Sequence, residues 1–404
     1  MRDADALRWV VVPLKVTNMA TKPEILIVGA GIGGLTAAIA LRQAGLGVKV
    51  FERAAELKEI GAGIGLSANA IRVLKHLGLM QQVVSRGTVV GVAASYTARG
   101  GTLSRLPTNL TDVPSICLHR AELQQALLSA LPPDCIHLGE EFVHFKKTSD
   151  GVIAQFASGR TASGDVLIGA DGLRSRVRAQ LIGDGEPVYR GYQCWRGVCN
   201  HPASELLTET CGLGRRVGLV PVGRRGTAWW CTANEPELAN DGPDGAKSKL
   251  LRWFGNWHEP IPDVIGATDP TAIFKTGIYD RRPVKKWSKE CCTLLGDAAH
   301  PTTPNMGQGG CMAIEDSVVV TRCLSNYSDS AMALCVYERL RYARTAKVTR
   351  ISRYYGMIGQ WKNPGLAWFR NTLFRIGSGK AGTKGYVKFV SYDPYKIALN
   401  ESGT

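Results

Sequence analysis

The sequence lacks the cysteine patterns of disulfide-stabilised and zinc-binding proteins. Its 404 residues include 11 cysteines, an odd number, with no CxxC pair and no cysteine and histidine cluster at zinc spacing. We therefore expect neither a disulfide scaffold nor a metal site, and we expect the chain to work in the cytoplasm or another reducing compartment. The adjacent Cys291 and Cys292 would point to opposite faces of a strand and fill core.

Long hydrophobic runs and a basic leader are also missing. The stretch 6–16 is apolar, but Arg8, Pro13 and Lys15 interrupt it and two aspartates precede it. It is too short to span a bilayer and does not follow the order of a signal peptide. Residues 1–22 are predicted to be an N-terminal extension of unknown purpose.

Acidic residues are absent from one long segment. Between Arg339 and Lys388 there are 12 lysines and arginines and no acid, so the net charge of +15 leaves only +3 for the rest. No zinc-finger, RNA-binding or heptad pattern accompanies these cations, and no nucleic-acid partner is expected. Aromatic residues alternate with the cations. This pattern leaves two alternatives, a cationic helix packed on the protein or a peripheral contact with an anionic membrane.

Disorder is excluded by composition. The chain has 45% hydrophobic and 21% charged residues, which is typical of a globular protein with a large core. Its length predicts one large domain or two to three interleaved ones.

A glycine-rich turn follows the first predicted strand, at 24–28. Gly29 allows the tight turn, Gly31 lets the backbone approach a pyrophosphate, and Gly34 permits close packing of the following helix on the strand. Unpaired amides at the start of that helix would then face the phosphates. The pattern predicts a dinucleotide-binding site.

An acid ends the second predicted strand, at 48–51. Glu52 stands eighteen residues beyond Gly34, where its carboxylate can accept both hydroxyls of an adenosine ribose. Because no cluster of phosphate-binding cations follows, the ribose is expected to be unphosphorylated. Both FAD and NAD meet that condition.

Two more strands end in motifs. The strand at 166–170 runs into Asp171 and Gly172, and the strand at 293–295 runs into Gly296 and Asp297. A loop then opens a helix that is predicted to begin near Gly307 and to run to about residue 324.

Together these motifs closely resemble the class A FAD-dependent monooxygenases, a family of aromatic hydroxylases, urate hydroxylases and zeaxanthin epoxidases. The resemblance covers about residues 24–345. It implies an α/β fold, with a doubly wound Rossmann-type FAD-binding domain, an inserted and mainly antiparallel substrate sheet, and a C-terminal helical segment. It also implies FAD as cofactor, NAD(P)H and O2 as co-substrates, and hydroxylation or epoxidation of an apolar or aromatic small molecule through a flavin C4a-hydroperoxide.

The resemblance also assigns cofactor-binding residues. Those near the adenosine and phosphates are Gly29, Gly31, Gly34, Glu52, Arg53 and Arg120. Asp171 and Gly172 serve FAD and NAD(P)H, while Gly296 and Asp297 serve the ribityl chain. The flavin loop contributes Pro304, Gly307, Gly309 and Gly310, whose backbone and helix dipole would stabilise negative charge on the reduced ring.

Other residues near these motifs are predicted to be structural. Glu315 and Asp316 are interpreted as complements of the helix dipole, and His300 as a packing residue.

The domain organisation is predicted as follows. The FAD-binding domain comprises 23–78, 104–185 and 288–335, with a substrate-side segment at 79–103, the substrate sheet at 186–287 and a basic helical segment at 336–404.

The substrate sheet is predicted from strands at 192–198, 216–222 and 227–233, with a hairpin turn at 223–226. Trp195 and Trp229 are candidates for the pocket wall, although strand aromatics also fill cores. Arg216 matches an arginine that contacts substrate in urate hydroxylases.

One departure from the urate hydroxylases bears on the reaction. The position after Pro304 is Asn305 rather than an acid, and asparagine cannot act as a general base. This favours epoxidation without deciding against hydroxylation. An oxygen-independent flavin reductase acting on isoprenoids and a FAD-bound interaction protein without turnover are the alternatives.

Overall fold

The structure is a computed structural model that describes residues 23–57, 62–202 and 204–399. The predicted extension at 1–22 lies outside the described residues. The strands are β1 (Glu24–Val28), β2 (Gly47–Glu52), β3 (Gly63–Leu66), β4 (Thr88–Val90), β5 (Val92–Thr97), β6 (Thr102–Pro107), β7 (Ser115–His119), β8 (Ile136–Leu138), β9 (Phe142–Thr148), β10 (Gly151–Phe156), β11 (Thr161–Gly164), β12 (Val166–Gly169), β13 (Val188–Cys199), β14 (Leu206–Cys211), β15 (Arg215–Pro221), β16 (Thr227–Asn234), β17 (Phe274–Asp280), β18 (Ser288–Lys289) and β19 (Cys292–Leu294). The helices are α1 (Ile32–Gln43), α2 (Ala68–His76), α3 (Met80–Arg86), α4 (Arg120–Leu128), α5 (Arg176–Leu181), α6 (Gly245–Phe254), α7 (Ile261–Ala267), α8 (Gly309–Asn326), α9 (Ser330–Gly359), α10 (Pro364–Gly377) and α11 (Lys380–Val390).

A six-stranded sheet in the order β18-β19-β12-β1-β2-β8 forms the centre of the first part. It is parallel from β19 to β8, and β18 adds an antiparallel edge. β12 is buried along its whole length, as expected for a parallel strand covered on both faces. α1 and α8 pack against each other beside this sheet. The predicted doubly wound α/β fold is confirmed.

The register of this sheet brings the three sequence motifs together. Val28 pairs with Gly169, and Gly169 pairs with Leu294, so β1, β12 and β19 end side by side. The turns that follow them therefore meet at one edge of the sheet, where open α/β folds bind ligands.

The second large sheet has seven strands in the order β17-β13-β16-β15-β14-β5-β6. Its pairs are antiparallel except β14 with β5. A short 3-10 turn over Gly223–Arg225 joins β15 to β16, where a hairpin turn was predicted. β5 and β6 come from the region around 79–103, so part of that segment joins the substrate sheet.

The C-terminal part is helical, as predicted. α9 has 30 residues and passes the predicted boundary at 336 without a break. After α11 the chain packs back onto the first part, where Arg322 donates to the Ile397 carbonyl at 2.9 Å and Tyr327 to that of Leu399 at 2.6 Å.

All 11 cysteines are free thiols, and nine of them are buried. Within the described ranges, no helix combines the length and hydrophobicity needed to cross a membrane.

Candidate cofactor and substrate site

The turn after β1 leaves room where a phosphate would be expected. Gly31 caps the N-terminus of α1, and a Cβ placed on it would meet nothing within 4 Å. Gly29 has a φ of +108°, and its Cβ would lie 2.5 Å from the Ala170 carbonyl oxygen. At Gly34 a Cβ would lie 2.0 Å from the Gly29 oxygen. Gly29 and Gly34 are thus required by packing, whereas Gly31 opens onto free space beside the α1 amides.

The acid at the end of β2 is held by two backbone amides. Glu52 accepts from the Ala30 N–H at 2.8 Å with Oε2 and from the Ala54 N–H at 3.0 Å with Oε1. Each carboxylate oxygen retains a lone pair for a further donor, such as a ribose hydroxyl. Arg53 is exposed beside it.

Asp171 holds the turn after β12. Its carboxylate accepts from the Ser175 hydroxyl and from the Arg176 and Val177 amides at 2.8 and 3.2 Å. Burial raises the pKa of Asp171, and these hydrogen bonds oppose the rise. Gly172 follows with a φ of +80°.

The turn after β19 presents Asp297 to the same edge. Gly296 takes a φ of +61°, and the side chain of Asp297 remains accessible. Desolvation by the surrounding protein raises the pKa of Asp297, while the charges of His300 and Arg120 oppose that rise. The exposed Arg120, at the start of α4, is therefore near enough to Asp297 to act on its charge.

The flavin loop enters α8 through a short 3-10 turn over Pro304–Met306. Gly307 adopts a left-handed φ of +61°, and α8 begins at Gly309, two residues later than predicted. A Cβ on Gly309 would lie 3.6 Å from Asp297 Oδ1, which brings the free N–H groups of this helix close to the β19 turn.

The interpretation of Glu315 and Asp316 as dipole complements is wrong. Both are fully buried and lie in the second turn of α8, bonded to arginines of α9. Arg341 contacts Glu315 at 2.7 Å and Asp316 at 2.6 Å, and Arg344 contacts Glu315 at 2.8 Å. Burial would raise the pKa of Asp316, but the charges of His300 and Arg341 outweigh it and lower the pKa to about 2.

This buried network extends to the turn after β19 on one side and to the flavin loop on the other. His300 contacts Asp316 at 2.6 Å, consistent with the predicted packing role. On the other side, Asn69 of α2 donates to Gln308 at 3.0 Å and also to Glu315. Gln308, the residue before α8, is therefore linked through Asn69 to Glu315 and so to the arginines of α9.

The structure corrects the expectation for Trp195 and Trp229. Both are fully buried with α6 and α7 in a core on one face of the sheet. Trp195 donates to Asp241 at 3.1 Å and Trp229 to the Thr268 hydroxyl at 2.8 Å. Because side chains alternate along a strand, their neighbour Trp230 lies on the opposite face, with Tyr192 and Arg216.

Arg216 is tied to protein groups rather than open to a ligand. Its side chain is 1% exposed and donates to Glu209 at 2.8 Å, Gln360 at 3.0 Å and Asn305 at 2.7 Å. Burial lowers the pKa of Arg216, but Glu209, together with weaker contributions from Tyr192, Cys211 and Tyr355, raises it overall, so the guanidinium stays charged and paired. A direct contact between Arg216 and substrate stays a prediction; in the structure its guanidinium contacts the flavin loop through Asn305.

Three residues that position the site, Arg178, Gly356 and Gly359, were not predicted from the sequence. Arg178 donates to the Ala298 and Ala299 carbonyls, each at 2.8 Å, and so fixes the loop that carries Asp297. Arg178 lies seven residues after Asp171, on the helix that follows the motif, and this position could have identified it from the sequence. Gly356 and Gly359 of α9 allow close approach to Asn305 and Arg216, but nothing local in the sequence marks them.

The arrangement fits FAD. The free space beside Gly31 suits the phosphates, and the open lone pairs of Glu52 suit the ribose. The α8 amides near Asp297 suit an electron-rich ring. No cluster of histidine, cysteine, aspartate or glutamate in the described part of the chain could hold a metal ion.

Comparison with known proteins agrees with this geometry. The sequence model of the FAD binding domain family matches residues 22–352. The aurachin C monooxygenase/isomerase of Stigmatella aurantiaca is 42% identical over 367 residues, which cover 89% of this chain and 96% of that protein. The chloroplastic zeaxanthin epoxidase of Nicotiana plumbaginifolia is 32% identical over 83% of this chain and 54% of its own length.

A solved structure of similar shape is known. HpxO of Klebsiella pneumoniae, crystallised with FAD and uric acid, superposes with a TM-score of 0.86 and 30% identity. The match covers 92% of this chain and 98% of HpxO.

Proposed function

The chain belongs to the class A FAD-dependent monooxygenases, and from this membership we propose that it uses NAD(P)H and O2 to insert one oxygen atom into a neutral, apolar or aromatic small molecule. FAD is its cofactor. When bound and reduced, FAD supplies the chemistry that activates O2 and transfers one of its atoms. The polypeptide must then hold the cofactor, orient the substrate and exclude water.

The proposed cofactor contacts follow the geometry of the sheet edge. Gly29, Gly31 and Gly34 shape the phosphate turn, Glu52 takes the ribose, and Asp297 takes the ribityl chain. Gly307, Gly309 and Gly310 let the α8 amides face the flavin ring, so no mobile cation is needed to stabilise negative charge there. Arg53, Arg120, Asp171, Gly172, Gly296 and Pro304 complete the proposed set.

One observation supports a neutral substrate above all others. Arg216, which shares a face of the substrate sheet with Tyr192 and Trp230, is fully buried and is already paired with Glu209. An anionic substrate would therefore not find Arg216 free to bind it, whereas the partly exposed Trp230 offers aromatic surface beside Tyr192. Burial also raises the pKa of Tyr192, which keeps its hydroxyl protonated at neutral pH.

The flavin loop supplies no general base. Asn305 donates to the Tyr192 hydroxyl at 3.0 Å and the Ser352 carbonyl at 3.0 Å, and its own oxygen accepts from Arg216. This supports a reaction in which the substrate does not have to be deprotonated, such as epoxidation of an alkene or attack on an electron-rich ring.

The test uses the purified, FAD-loaded full chain. Oxidation of NADH and of NADPH is measured with a panel of neutral apolar aromatics and alkenes that includes aurachin C, and with urate as the anionic comparator. We expect at least one neutral compound to accelerate oxidation about tenfold or more, with oxygen from isotopically labelled O2 in the product.

Two outcomes would overturn the proposal. Turnover without label in the product would favour the flavin reductase. Tight FAD with NAD(P)H oxidation unmoved by any compound would favour an interaction protein without turnover.

A further inference from the structure

The outward side of α10 carries a continuous apolar stripe. Leu366, Phe369, Leu373 and Ile376 follow the i, i+3, i+7, i+10 spacing of one helix face, and they are 46, 49, 42 and 74% exposed. Trp368, 66% exposed, lies on the same outward half. A surface helix normally turns such a stripe toward the core and its charges toward water.

The rotation of α10 is fixed by contacts on its inner side. Arg370 is 1% exposed and donates to the Gly212 carbonyl at 3.0 Å and the Gly359 carbonyl at 3.1 Å. Ala367 is buried beside it. The one fully buried cation of α10 is thus used as the anchor, and the apolar stripe is what remains outside.

The next helix presents cations. Lys380, Lys384 and Lys388 of α11 are exposed at i, i+4 and i+8, so they form one stripe. Lys362 and Arg375 are exposed near the two ends of α10. No aspartate or glutamate occurs between Arg339 and Lys388 to neutralise them.

We propose that the α10 stripe and the α11 lysines together form a docking surface for an anionic lipid membrane. The apolar side chains would enter the boundary between headgroups and acyl chains, and the lysines would contact lipid phosphates, each raising partition about fivefold. The contact would be interfacial, since the helices of the described residues are too short or too polar to span a bilayer.

Charge argues for lipid over a second copy of the chain. Most symmetric dimers bring the same patch of both subunits together. Such a contact would place two acid-free, cationic surfaces against each other, with no carboxylate in the segment to pair with them. An anionic bilayer instead complements the apolar stripe and the lysines at once. This inference does not rest on the substrate proposed above.

The experiment is cosedimentation of the FAD-loaded full chain with phosphatidylcholine vesicles, with and without about one-third phosphatidylserine. We expect pelleting with the anionic vesicles, reduced by added salt. The double variant Phe369→Ser and Ile376→Ser should bind at least tenfold more weakly. The triple variant Lys380→Glu, Lys384→Glu and Lys388→Glu should not bind measurably.

Matched controls separate the surface from general effects. Leu238→Ser removes a side chain that is 95% exposed elsewhere. A triple charge reversal of Lys146, Arg282 and Lys285 to glutamate alters the net charge equally at exposed sites outside the surface. Both controls should retain most of the binding, and FAD content verifies folding in every variant.

Three results would overturn the proposal. The wild-type chain could remain in solution with anionic vesicles, or the α10 variants could pellet as it does. In the third, sedimentation velocity would detect a dimer that Phe369→Ser dissociates without any vesicle binding, which would assign the surface to a second copy.

Discussion

The phosphate turn and the substrate sheet shape the candidate site in different ways. At the phosphate turn the fit depends on missing side chains, since Gly29 and Gly34 leave no room for a Cβ and Gly31 leaves open space. At the substrate sheet it depends on which side chains share a face, since Trp230 and Arg216 lie on one side and Trp195 and Trp229 on the other. A backbone site is therefore sensitive to any added atom, whereas a side-chain site tolerates changes on its far face.

The largest expected effect comes from the glycines. Gly31→Val should abolish flavin content while the apoprotein unfolds at the wild-type temperature, because Gly31 has an ordinary φ of −73° and free space around it. Gly34→Ala should lower stability itself, by about 3 kcal/mol, since its Cβ would meet backbone. Flavin absorbance and thermal unfolding of the apoprotein measure the two effects. Gly91→Val, at another open glycine, is the control and should remain yellow. A fully loaded Gly31→Val protein would remove the phosphate-turn assignment.

The second largest effect is expected at the buried charges of α8 and α9. Asp316→Asn should cost about 3–5 kcal/mol at neutral pH, because Arg341 and His300 lose their buried partner. The exposed pair Asp244 and Arg252 supplies the control, and Asp244→Asn should cost less than about 1 kcal/mol. Denaturant midpoints measure both.

The same variant predicts a pH dependence. The pKa of Asp316 is lowered to about 2 in the folded chain, below its ordinary value of 3.8. Its ionised form therefore stabilises the fold fully above pH ~4, and this contribution, about 2 kcal/mol, is lost as the pH falls toward 2. The gap between wild type and Asp316→Asn should narrow over that window. A gap that widens on acidification would contradict the assignment.

A smaller effect is expected at the ion pair between Arg216 and Glu209 on the substrate sheet. Glu209→Gln keeps the shape of the side chain but leaves Arg216 without its counter-ion. The KM for anionic aromatic compounds should fall about tenfold, while that for neutral substrates rises, because the pocket gains net positive charge. Glu205→Gln, at an exposed position near the start of β14, should change neither value. An unaltered preference between anionic and neutral compounds in Glu209→Gln would argue against a substrate site neutralised by this pair.

The smallest changes test the two faces of the sheet directly. Trp229→Phe should lower stability by about 1–2 kcal/mol, through the lost bond to Thr268, and leave the kinetics unchanged. Trp230→Phe should raise KM and the fraction of NAD(P)H oxidised without product, at little cost in stability. Steady-state kinetics and thermal unfolding of both variants measure these effects. The reverse result would exchange the roles of the two faces.

The features that could be predicted from the sequence lie mainly at the phosphate turn, whereas those that could not be predicted lie mainly at the substrate sheet. The order of strand, glycines, helix and acid around Gly29 and Glu52 is local, and register then brought Asp171 and Asp297 to the same edge. Those elements could be predicted because each motif lies within a few residues of its strand. The doubly wound fold was implied by the family resemblance that these motifs carry.

The facing of Trp195 and Trp229 could not be predicted, because both faces of the substrate sheet are covered and hydropathy does not alternate. β16 is buried at nearly every position, so tryptophans at 229 and 230 look equivalent in the sequence. The partners of Glu315 and Asp316 were missed for another reason. They stand on a helix that begins only after α8 has ended, and no local pattern pairs residues across two helices.

The length of α9 has a consequence for recombining this protein with its relatives. At 30 residues the helix extends about 45 Å. It carries Arg341 and Arg344 against α8 at one point, and Gly356 and Gly359 against Asn305 and Arg216 further along. A chimera that exchanges only the substrate sheet would set a foreign side chain against Gly359, where the absence of a Cβ makes room for Arg216. Substrate range should therefore be inherited with the sheet and the second half of α9 as one unit.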